Sequence, residues 1–219
     1  MSTEDWVDEI IDTPGITLGP RASYAMMNDP RRMAIVLSRY KFCAKMLSAK
    51  DRILDIGCGD GFGAPIVAQI CDYWNGIDID TKLIEGNKKR LSTLSKLNFE
   101  EMDITASSPS EKFDGAYSLD VIEHISLEEE VKYFQNICSS LKDDAICIIG
   151  TPNITSDKYA SKPGHSPHIN LKDEASFRES MNKYFKNVLI FSMNDEVVHT
   201  GFTPMAHYLF AVGIGVNGR

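Results

Sequence analysis

Short apolar runs alternate with longer amphipathic segments along the chain from Asp51 to about Thr151. The apolar runs have the length of β-strands, and the longer segments carry apolar residues at helical spacing. Strands that alternate with helices form right-handed βαβ units on a parallel sheet, so the pattern predicts an α/β fold of the doubly wound type. In chain order the predicted elements are RILDI, Gly63 to Ile70, YWNGIDI, Lys82 to Leu94, LNFEEM, FDGAYSL, Leu127 to Leu141 and AICIIGT.

The two ends of the chain lack this alternation. Residues 1–50 contain no strand-like run, and Pro and Gly residues precede a helical stretch from Pro30 to Ala49, so we expect an N-terminal helical cap. Residues 151–170 are rich in Pro, Gly, Ser and His without periodicity, and loops this long are usually functional or disordered. A helix from about Leu171 to Tyr184 follows, and two further apolar runs, NVLIFSM and HYLFAVGI, are expected to close the sheet as an antiparallel pair.

A glycine-rich segment, DIGCGDGFG from Asp55 to Gly63, joins the first predicted strand to the first helix of this pattern. Glycines let the backbone turn tightly and approach a ligand without obstruction by a Cβ atom. Doubly wound sheets bind nucleotides at this place, because their topology leaves a crevice at the carboxyl end of the first strand. Asp78 ends the second strand 23 positions after Asp55 and suits hydrogen bonding to ribose hydroxyls. The loop and the acid together predict an adenosine-containing cofactor.

The glycine loop alone is compatible with other kinds of protein. In a shifted frame, Gly59-x-Gly61-x-x-Ala64 matches the dinucleotide-binding pattern, so an NAD(P)-dependent oxidoreductase is one alternative. A non-catalytic regulator that keeps the cofactor fold is another, and a purely structural loop is a third. Asp55 within the loop, and the continuation of the chain after Asp78 as Ile79-Asp80 and a helix, argue against the oxidoreductase.

Four motifs, in this order, resemble those of the class I S-adenosylmethionine-dependent methyltransferases. They are D-x-G-C-G-x-G from Asp55, G-I-D-I-D ending at Asp80, M-D-I at residues 102–104, and F-D-G-A-Y-S-L-D-V-I-E-H from Phe113 to His124. The resemblance runs from about Arg52 to Asn153. We therefore expect a Rossmann-like, doubly wound, mostly parallel seven-stranded sheet with an antiparallel last strand and an N-terminal helical cap.

The resemblance implies S-adenosyl-L-methionine as the cofactor and assigns residues of each motif to one part of it. The implied contacts are Asp55, Gly57 and Gly59 with the methionine part, Asp78 with the ribose, Ile79 with the adenine ring, Asp103 and Ile104 with the adenine amino group, and Ser118 and Leu119 with the sulfonium. In the cap, Arg39 or Lys41 either pairs with the cofactor carboxylate or lies on a solvated helix face.

Histidines near the predicted cofactor site are candidates for a base that activates the acceptor. Methyl transfer from a sulfonium is an in-line displacement, so the protein must align donor and acceptor and exclude water. A hydroxyl acceptor benefits from a general base, whereas an amine acceptor must be neutral. His124 follows the fourth strand, as a base or as a hydrogen-bonded part of the site wall. His165 and His168 lie in the Pro- and Gly-rich loop, either on its surface or over the substrate as part of a lid.

The segment Asp120-x-x-Glu123-His124 also offers ligands for a divalent metal, with a loop histidine as a further ligand. It resembles the E-x-x-E-H element of metal-dependent small-RNA 2′-O-methyltransferases and of ubiquinone-pathway O-methyltransferases, with aspartate in place of the first glutamate. Because E-H after the fourth strand also occurs in methyltransferases without metal, both interpretations stay open.

The net charge of −8 argues against broad electrostatic capture of nucleic acid or of an anionic membrane, so we expect a small-molecule acceptor. The loop after Thr151 resembles that of methyltransferases in pathways for cell-surface glycans and related small metabolites, which adds sugar-linked molecules to the expected acceptors, and the basic residues of the cap add phosphorylated ones. Basic residues of the cap either bind phosphate or carboxylate on such a substrate or lie on a solvated helix; they are Arg21, Arg31, Arg32, Arg39, Lys41 and Lys45. We expect a monomer or a homodimer.

The length of 219 residues and the 43% apolar share predict one globular domain. We expect the cap at 1–50, the cofactor-binding core at 51–155, a substrate loop or lid at 156–175, and the closing helix and strand pair at 176–219. Five cysteines without C-x-x-C pairing predict reduced thiols. The acidic N-terminus lacks the layout of a signal peptide, so we expect a cytoplasmic protein.

Overall fold

The computed structural model describes residues 11, 15–159 and 168–218. In this part of the chain the main helices are α1 (Pro20–Asn28), α2 (Pro30–Met46), α3 (Ala64–Ala68), α4 (Thr81–Arg90), α5 (Leu127–Ser140) and α6 (Glu174–Asn182). The strands are β1 (Arg52–Ile56), β2 (Tyr73–Asp78), β3 (Leu97–Glu101), β4 (Phe113–Leu119), β5 (Leu141–Pro152), β6 (Phe185–Asn194), β7 (Val197–His199) and β8 (Tyr208–Val216). Short 3₁₀ turns lie at Ile122–His124, Ile154–Tyr159 and Thr203–Met205.

The strands form one mixed sheet in the order β3-β2-β1-β4-β5-β8-β6-β7. Strands β1 to β5 pair in parallel, whereas β8 pairs antiparallel with both β5 and β6. The structure confirms the predicted α/β fold, its mostly parallel sheet, its antiparallel last strand and its helical cap. The strand order reverses between β1 and β4, so a crevice opens at the carboxyl ends of these two strands.

The sheet has eight strands among the described residues, and the predicted number of seven is wrong. The extra strand is β7, which pairs with β6 across a tight turn between Asn194 and Val197. Asp195 in this turn has a left-handed backbone with φ of 48°. A strand of three residues is too short to leave a periodic signal in the sequence, and its existence depends on this turn.

The sheet divides the apolar core into two clusters, and helices cover both of its faces. Tyr133, Phe134 and Phe177 of α5 and α6 pack in one cluster. Cys43, Ala44 and Leu47, in and after α2, pack in the other. The cap is therefore part of the protein core. The described helices include none long and apolar enough to cross a membrane.

The N-terminal end of α1 packs on the glycine loop. The backbone N–H of Ala22 donates to Asp60 Oδ2 at 2.8 Å. Arg90 of α4 donates to the carbonyl oxygen of Thr17 at 3.1 Å and also to that of Asp60 at 2.5 Å. These contacts fix the segment from residue 17 to residue 22 over the loop that follows β1.

Candidate active site

The loop after β1 needs glycine at several positions. Gly57, Gly59 and Gly61 have φ values of 77°, 55° and 65°, a conformation that other residues rarely adopt. A Cβ atom on Gly57 would also overlap the side chain of Val121. The loop therefore turns tightly and presents bare backbone at the crevice.

Asp78, at the end of β2, holds this loop in place. Its Oδ2 accepts a hydrogen bond from the N–H of Gly59 at 2.8 Å, and its Oδ1 accepts one from the N–H of Asp80 at 2.9 Å. The amide of Asn87 donates to the carbonyl oxygen of Gly59 at 2.8 Å. Ile79, next to Asp78, is 71% exposed, which is unusual for a large apolar side chain beside a strand. An acid and an exposed apolar side chain thus lie together at the edge of the crevice.

Asp55 in β1 is a buried acid. Burial raises its pKa to about 8, and the charge of Asp78 adds to the increase, whereas a hydrogen bond with Tyr117 opposes it. Trp74 Nε1–H donates to the hydroxyl of Tyr117 at 2.9 Å and so orients this partner. A buried carboxyl group of this kind favours the approach of a cationic group, which would lower the cost of its ionisation.

The remaining predicted cofactor residues are partly engaged within the protein. Asp103 Oδ1 accepts hydrogen bonds from the N–H of Thr105 at 2.8 Å and from its hydroxyl at 2.7 Å. The side chain of Ile104 packs in the core cluster beneath α5. Ser118, at the end of β4, donates to the carbonyl oxygen of Ile56 at 2.9 Å, and the Leu119 side chain is buried beside it.

Asp120 follows β4 in a left-handed backbone conformation with φ of 57°. Its Oδ2 pairs with Arg39 Nη1 of α2 at 2.6 Å, and the Arg39 guanidinium lies over the ring of Tyr208 at 3.8 Å from the centroid. The Arg39 side chain is only 15% exposed and is not on a solvated face, whereas Lys41 is exposed. The sequence did not reveal the pairing of Arg39 with Asp120, because 81 positions separate the two residues.

Glu123, His124 and His168 form a group at the same edge of the sheet. Their potential ligand atoms all lie within 4.8 Å of one another, and the two imidazole rings are 5.2 Å apart in an edge-to-face arrangement. Glu123 is buried and the histidines are exposed. Asp120, the first carboxylate of the predicted metal motif, lies outside this group and pairs with Arg39 instead. His165 lies outside the described residues.

Thr151, at the end of β5, contacts the Glu123 carboxylate. Its hydroxyl donates to Glu123 Oε2 at 3.1 Å. Burial raises the pKa of Glu123 to about 8, and the nearby charge of Asp120 raises it further, whereas Arg39 lowers it. The sequence did not reveal Thr151 as a partner of Glu123, although its place near the carboxyl end of a central strand is a signal.

The site therefore combines two chemical environments. A glycine turn with buried and edge carboxyl groups suits a cationic ligand with a ribose. Beside it, two imidazoles and a carboxylate can accept a proton or bind a divalent cation.

Comparison with known proteins places these features in one family. The profile of a family described as a methyltransferase domain matches residues 28–188. The chain is 35% identical over 105 residues to a phosphoethanolamine N-methyltransferase of Plasmodium falciparum, covering 47% of this chain and 40% of that protein. It is 24% identical over 133 residues to a probable S-adenosylmethionine-dependent methyltransferase of Mycobacterium tuberculosis, covering 60% and 44% of the two. The matches span less than half the length of either curated relative.

The fold is similar to that of a solved methyltransferase structure. The N-methyltransferase NodS of Bradyrhizobium japonicum, in complex with S-adenosyl-L-homocysteine, superposes with a TM-score of 0.62 and 15% identity. The superposition covers 96% of this chain and 97% of that one. This likeness supports the Rossmann-like architecture of the sheet.

Proposed function

This chain belongs to the methyltransferase domain family, as a class I enzyme that uses S-adenosylmethionine, and we propose that it methylates a nitrogen or oxygen atom of a small metabolite. The family match favours a methyltransferase over the oxidoreductase, which the glycine pattern from Gly59 to Ala64 had left open. The expected acceptors include phosphorylated and sugar-linked molecules.

The burial of the Asp55 carboxyl group is the observation that best supports the cofactor part of this proposal. Its buried carboxyl group, next to the bare backbone of Gly57, suits the cationic amino group of a methionine moiety. When bound, the cofactor supplies a methyl group on a positively charged sulfur. Asp78 is placed to accept hydrogen bonds from a ribose while it fixes the glycine turn, and Ile79 offers an exposed apolar surface to an adenine ring.

On the acceptor side, we propose that the group of Glu123, His124 and His168 activates the oxygen or nitrogen atom that receives the methyl group. An imidazole takes a proton from a hydroxyl or keeps an amine neutral, which is worth roughly 10²–10⁴-fold in rate. The same three side chains match the donor preferences of Zn²⁺ or Mn²⁺, and a bound ion would lower the pKa of a hydroxyl acceptor. Alignment of donor and acceptor, to which these groups would contribute, can lower the barrier by about 7–11 kcal/mol in all.

An anionic group on the acceptor fits the charge distribution of the cap. Arg21 lies near the glycine turn, with its Nη1 atom 3.5 Å from the point where a Cβ atom of Gly59 would stand. Arg31 and Arg32 are exposed on the same cap. The relative from Plasmodium falciparum acts, by its name, on phosphoethanolamine. We therefore propose that a phosphorylated small amine or alcohol is the first acceptor class to test, with the chain as a monomer or homodimer in the cytoplasm.

Calorimetry with S-adenosyl-L-homocysteine tests the cofactor assignment. We expect micromolar binding of this compound and none of NAD(H) or NADP(H). Methyl transfer is then followed by mass spectrometry with phosphoethanolamine and with ethanolamine, so that the effect of the phosphate is isolated. Preference for a nicotinamide nucleotide would overturn the proposal, and transfer to ethanolamine alone would remove the phosphate from it.

Thermal unfolding separates the two roles of the histidine group. If the group binds metal, Zn²⁺ or Mn²⁺ at 100 times its dissociation constant stabilises the fold by about 2.7 kcal/mol, and chelator reverses the shift. His168→Gln should abolish that shift. If the group acts as a base, metal leaves the midpoint unchanged, and His124→Ala lowers turnover without changing cofactor affinity.

A further inference from the structure

A nearly buried ion pair lies between α5 and the segment that precedes α6. Lys172 Nζ is 2.6 Å from Glu130 Oε2, and the two side chains are 6% and 12% exposed. Lysine and glutamate are rarely buried to this extent unless they are paired. The pair therefore has a specific role in this part of the fold.

Glu130 receives two further hydrogen bonds. The amide of Asn170 donates to Oε2 at 2.7 Å, and the hydroxyl of Ser180 on α6 donates to Oε1 at 2.8 Å. These bonds and that of Lys172 lower the pKa of Glu130 despite its burial. The carboxylate thus joins α5, α6 and the segment between Asn170 and Lys172.

This segment is also tied to the strand ends that carry the site. The backbone N–H groups of Ile169 and Asn170 both donate to the carbonyl oxygen of Glu123, at 2.8 Å and 3.1 Å. The carbonyl oxygen of Lys172 accepts from the N–H of Ile154 at 3.0 Å. His168 immediately precedes the segment, and its ring lies 5.2 Å from that of His124.

A buried ion pair is seldom more stable than apolar residues of similar volume, so net stability is a weak explanation for this one. We propose that Glu130 is a positioning residue, which acts through Asn170 and Lys172 to hold His168 beside His124 and Glu123. Its consequence for methyl transfer rests on the proposed function of that histidine group. The positioning itself can be measured without cofactor or acceptor.

The double variant Glu130→Met with Lys172→Met tests the proposal, because it removes the ion pair and keeps apolar bulk in its place. In the native protein, NMR with labelled histidine should show a nuclear Overhauser effect between the rings of His124 and His168. We expect this signal to be lost in the double variant, while its affinity for S-adenosyl-L-homocysteine stays within about two-fold. Glu179→Gln breaks an exposed pair of 3.5 Å with Lys183 and should leave the signal unchanged.

The outcomes separate this proposal from the proposed function. Persistence of the ring-to-ring signal in the folded double variant, or its absence in the native protein, overturns the positioning role. If the double variant does not fold, Asn170→Ala gives the same test, since it keeps the Glu130–Lys172 pair and removes only the hydrogen bond that joins Glu130 to the residue two positions after His168, and the signal should fall by at least half. A His168→Ala variant that methylates at the native rate would instead remove His168 from the chemistry and leave the positioning role intact.

Discussion

Asp55 lies within a chain of buried polar groups. Trp74 donates to Tyr117, and Tyr117 forms a hydrogen bond with Asp55, so the carboxyl group is oriented before any ligand binds. Such preorganisation reduces the cost of ordering a site when the ligand arrives. The same burial makes the ionised carboxylate costly, so Asp55 lowers the free energy of unfolding while it favours binding of the cofactor.

The variant Asp55→Asn measures how much the ionised carboxylate destabilises the fold. The pKa of Asp55 is about 8 in the folded state against an ordinary value of 3.8. The folded state therefore holds the proton more tightly, and the carboxyl group destabilises the fold progressively as the pH rises from about 4 to about 8. Relative to the native protein, we expect the variant to gain stability over this window by up to about 5 kcal/mol, with no further gain above it.

Urea unfolding at pH 4, 6 and 8 checks the prediction, with the exposed Asp143→Asn as the matched control. The control should show no such pH-dependent gain. The affinity of Asp55→Asn for S-adenosyl-L-homocysteine should fall by at least about 10-fold, because the charged hydrogen bond to the ligand is lost. Equal stability gains at all three pH values would contradict the assigned cause.

Gly57 gives a second prediction for a single residue. Gly57→Ala combines a φ of 77° with an overlap between the new Cβ atom and Val121. We expect a destabilisation of about 1–3 kcal/mol and loss of measurable cofactor binding. Gly86 lies inside α4 with nothing within 4 Å of its Cβ position, so Gly86→Ala should stabilise the protein by about 0.5–1 kcal/mol. Calorimetry measures the cofactor affinity of the two variants, and thermal unfolding measures their stability.

At the scale of elements, an ion pair joins the cap to the sheet. Arg39 of α2 pairs with Asp120 beyond β4 and stacks on Tyr208 at the start of β8. Asp120 has a left-handed backbone, which costs an aspartate about 1–2 kcal/mol and persists only where surrounding contacts maintain it. The pair therefore fixes the position of the chain between β4 and Glu123.

Arg39→Met tests this connection. The variant keeps apolar contact with Tyr208 and leaves the Asp120 carboxylate without its cation. We expect a loss of about 1–2 kcal/mol of folding free energy in urea, because the variant removes the ion pair with the 41% exposed Asp120 and the guanidinium contact with the Tyr208 ring. Lys41→Met, on the exposed side of the same helix, should change stability by less than about 0.5 kcal/mol. Equal changes in folding free energy for both variants would show that the ion pair does not stabilise the fold.

At the scale of the whole molecule, the sequence predicts features formed by neighbouring residues better than those formed across the fold. Strands β1, β2 and β4 agree with their apolar runs within about two residues, because each is buried on both sides. The helix predicted from Leu171 begins at Glu174 instead, since the capping box between Asp173 and Ser176 starts it there.

The candidate site follows the same division. The turn from Gly57 to Gly59 and its acid Asp78 are visible in the sequence, because their spacing follows from one βαβ unit. His168 lies beside His124, and Lys172 pairs with Glu130, 42 positions away, but no local pattern connects the members of either pair. A long-range ion pair or ring contact leaves no periodic trace in a single sequence, and so it required the structure.

The last prediction concerns the cooperativity of the whole fold. Phe42 of the cap contacts Phe210 of β8 with ring centroids 4.5 Å apart, and it contacts Phe191 of β6 at 5.2 Å. Because the cap and the closing strands share these rings, we expect them to unfold in one transition. Phe210→Ala should lower the free energy of unfolding by about 3–5 kcal/mol, whereas Phe202→Ala, at a side chain 70% exposed, should change it little.

Fluorescence and far-ultraviolet circular dichroism should give coincident urea transitions in the native protein and in Phe210→Ala, shifted together to a lower midpoint. In a Trp6→Phe background Trp74 is the one remaining tryptophan, so fluorescence reports on the sheet, and dichroism includes the helices of the cap. A separate early loss of helical signal would show that the cap unfolds on its own. In that case the aromatic contacts of Phe42 do not couple the cap to the closing strands, and Arg39→Met, which removes a further contact of the cap with the sheet, should move the early phase to a lower urea concentration.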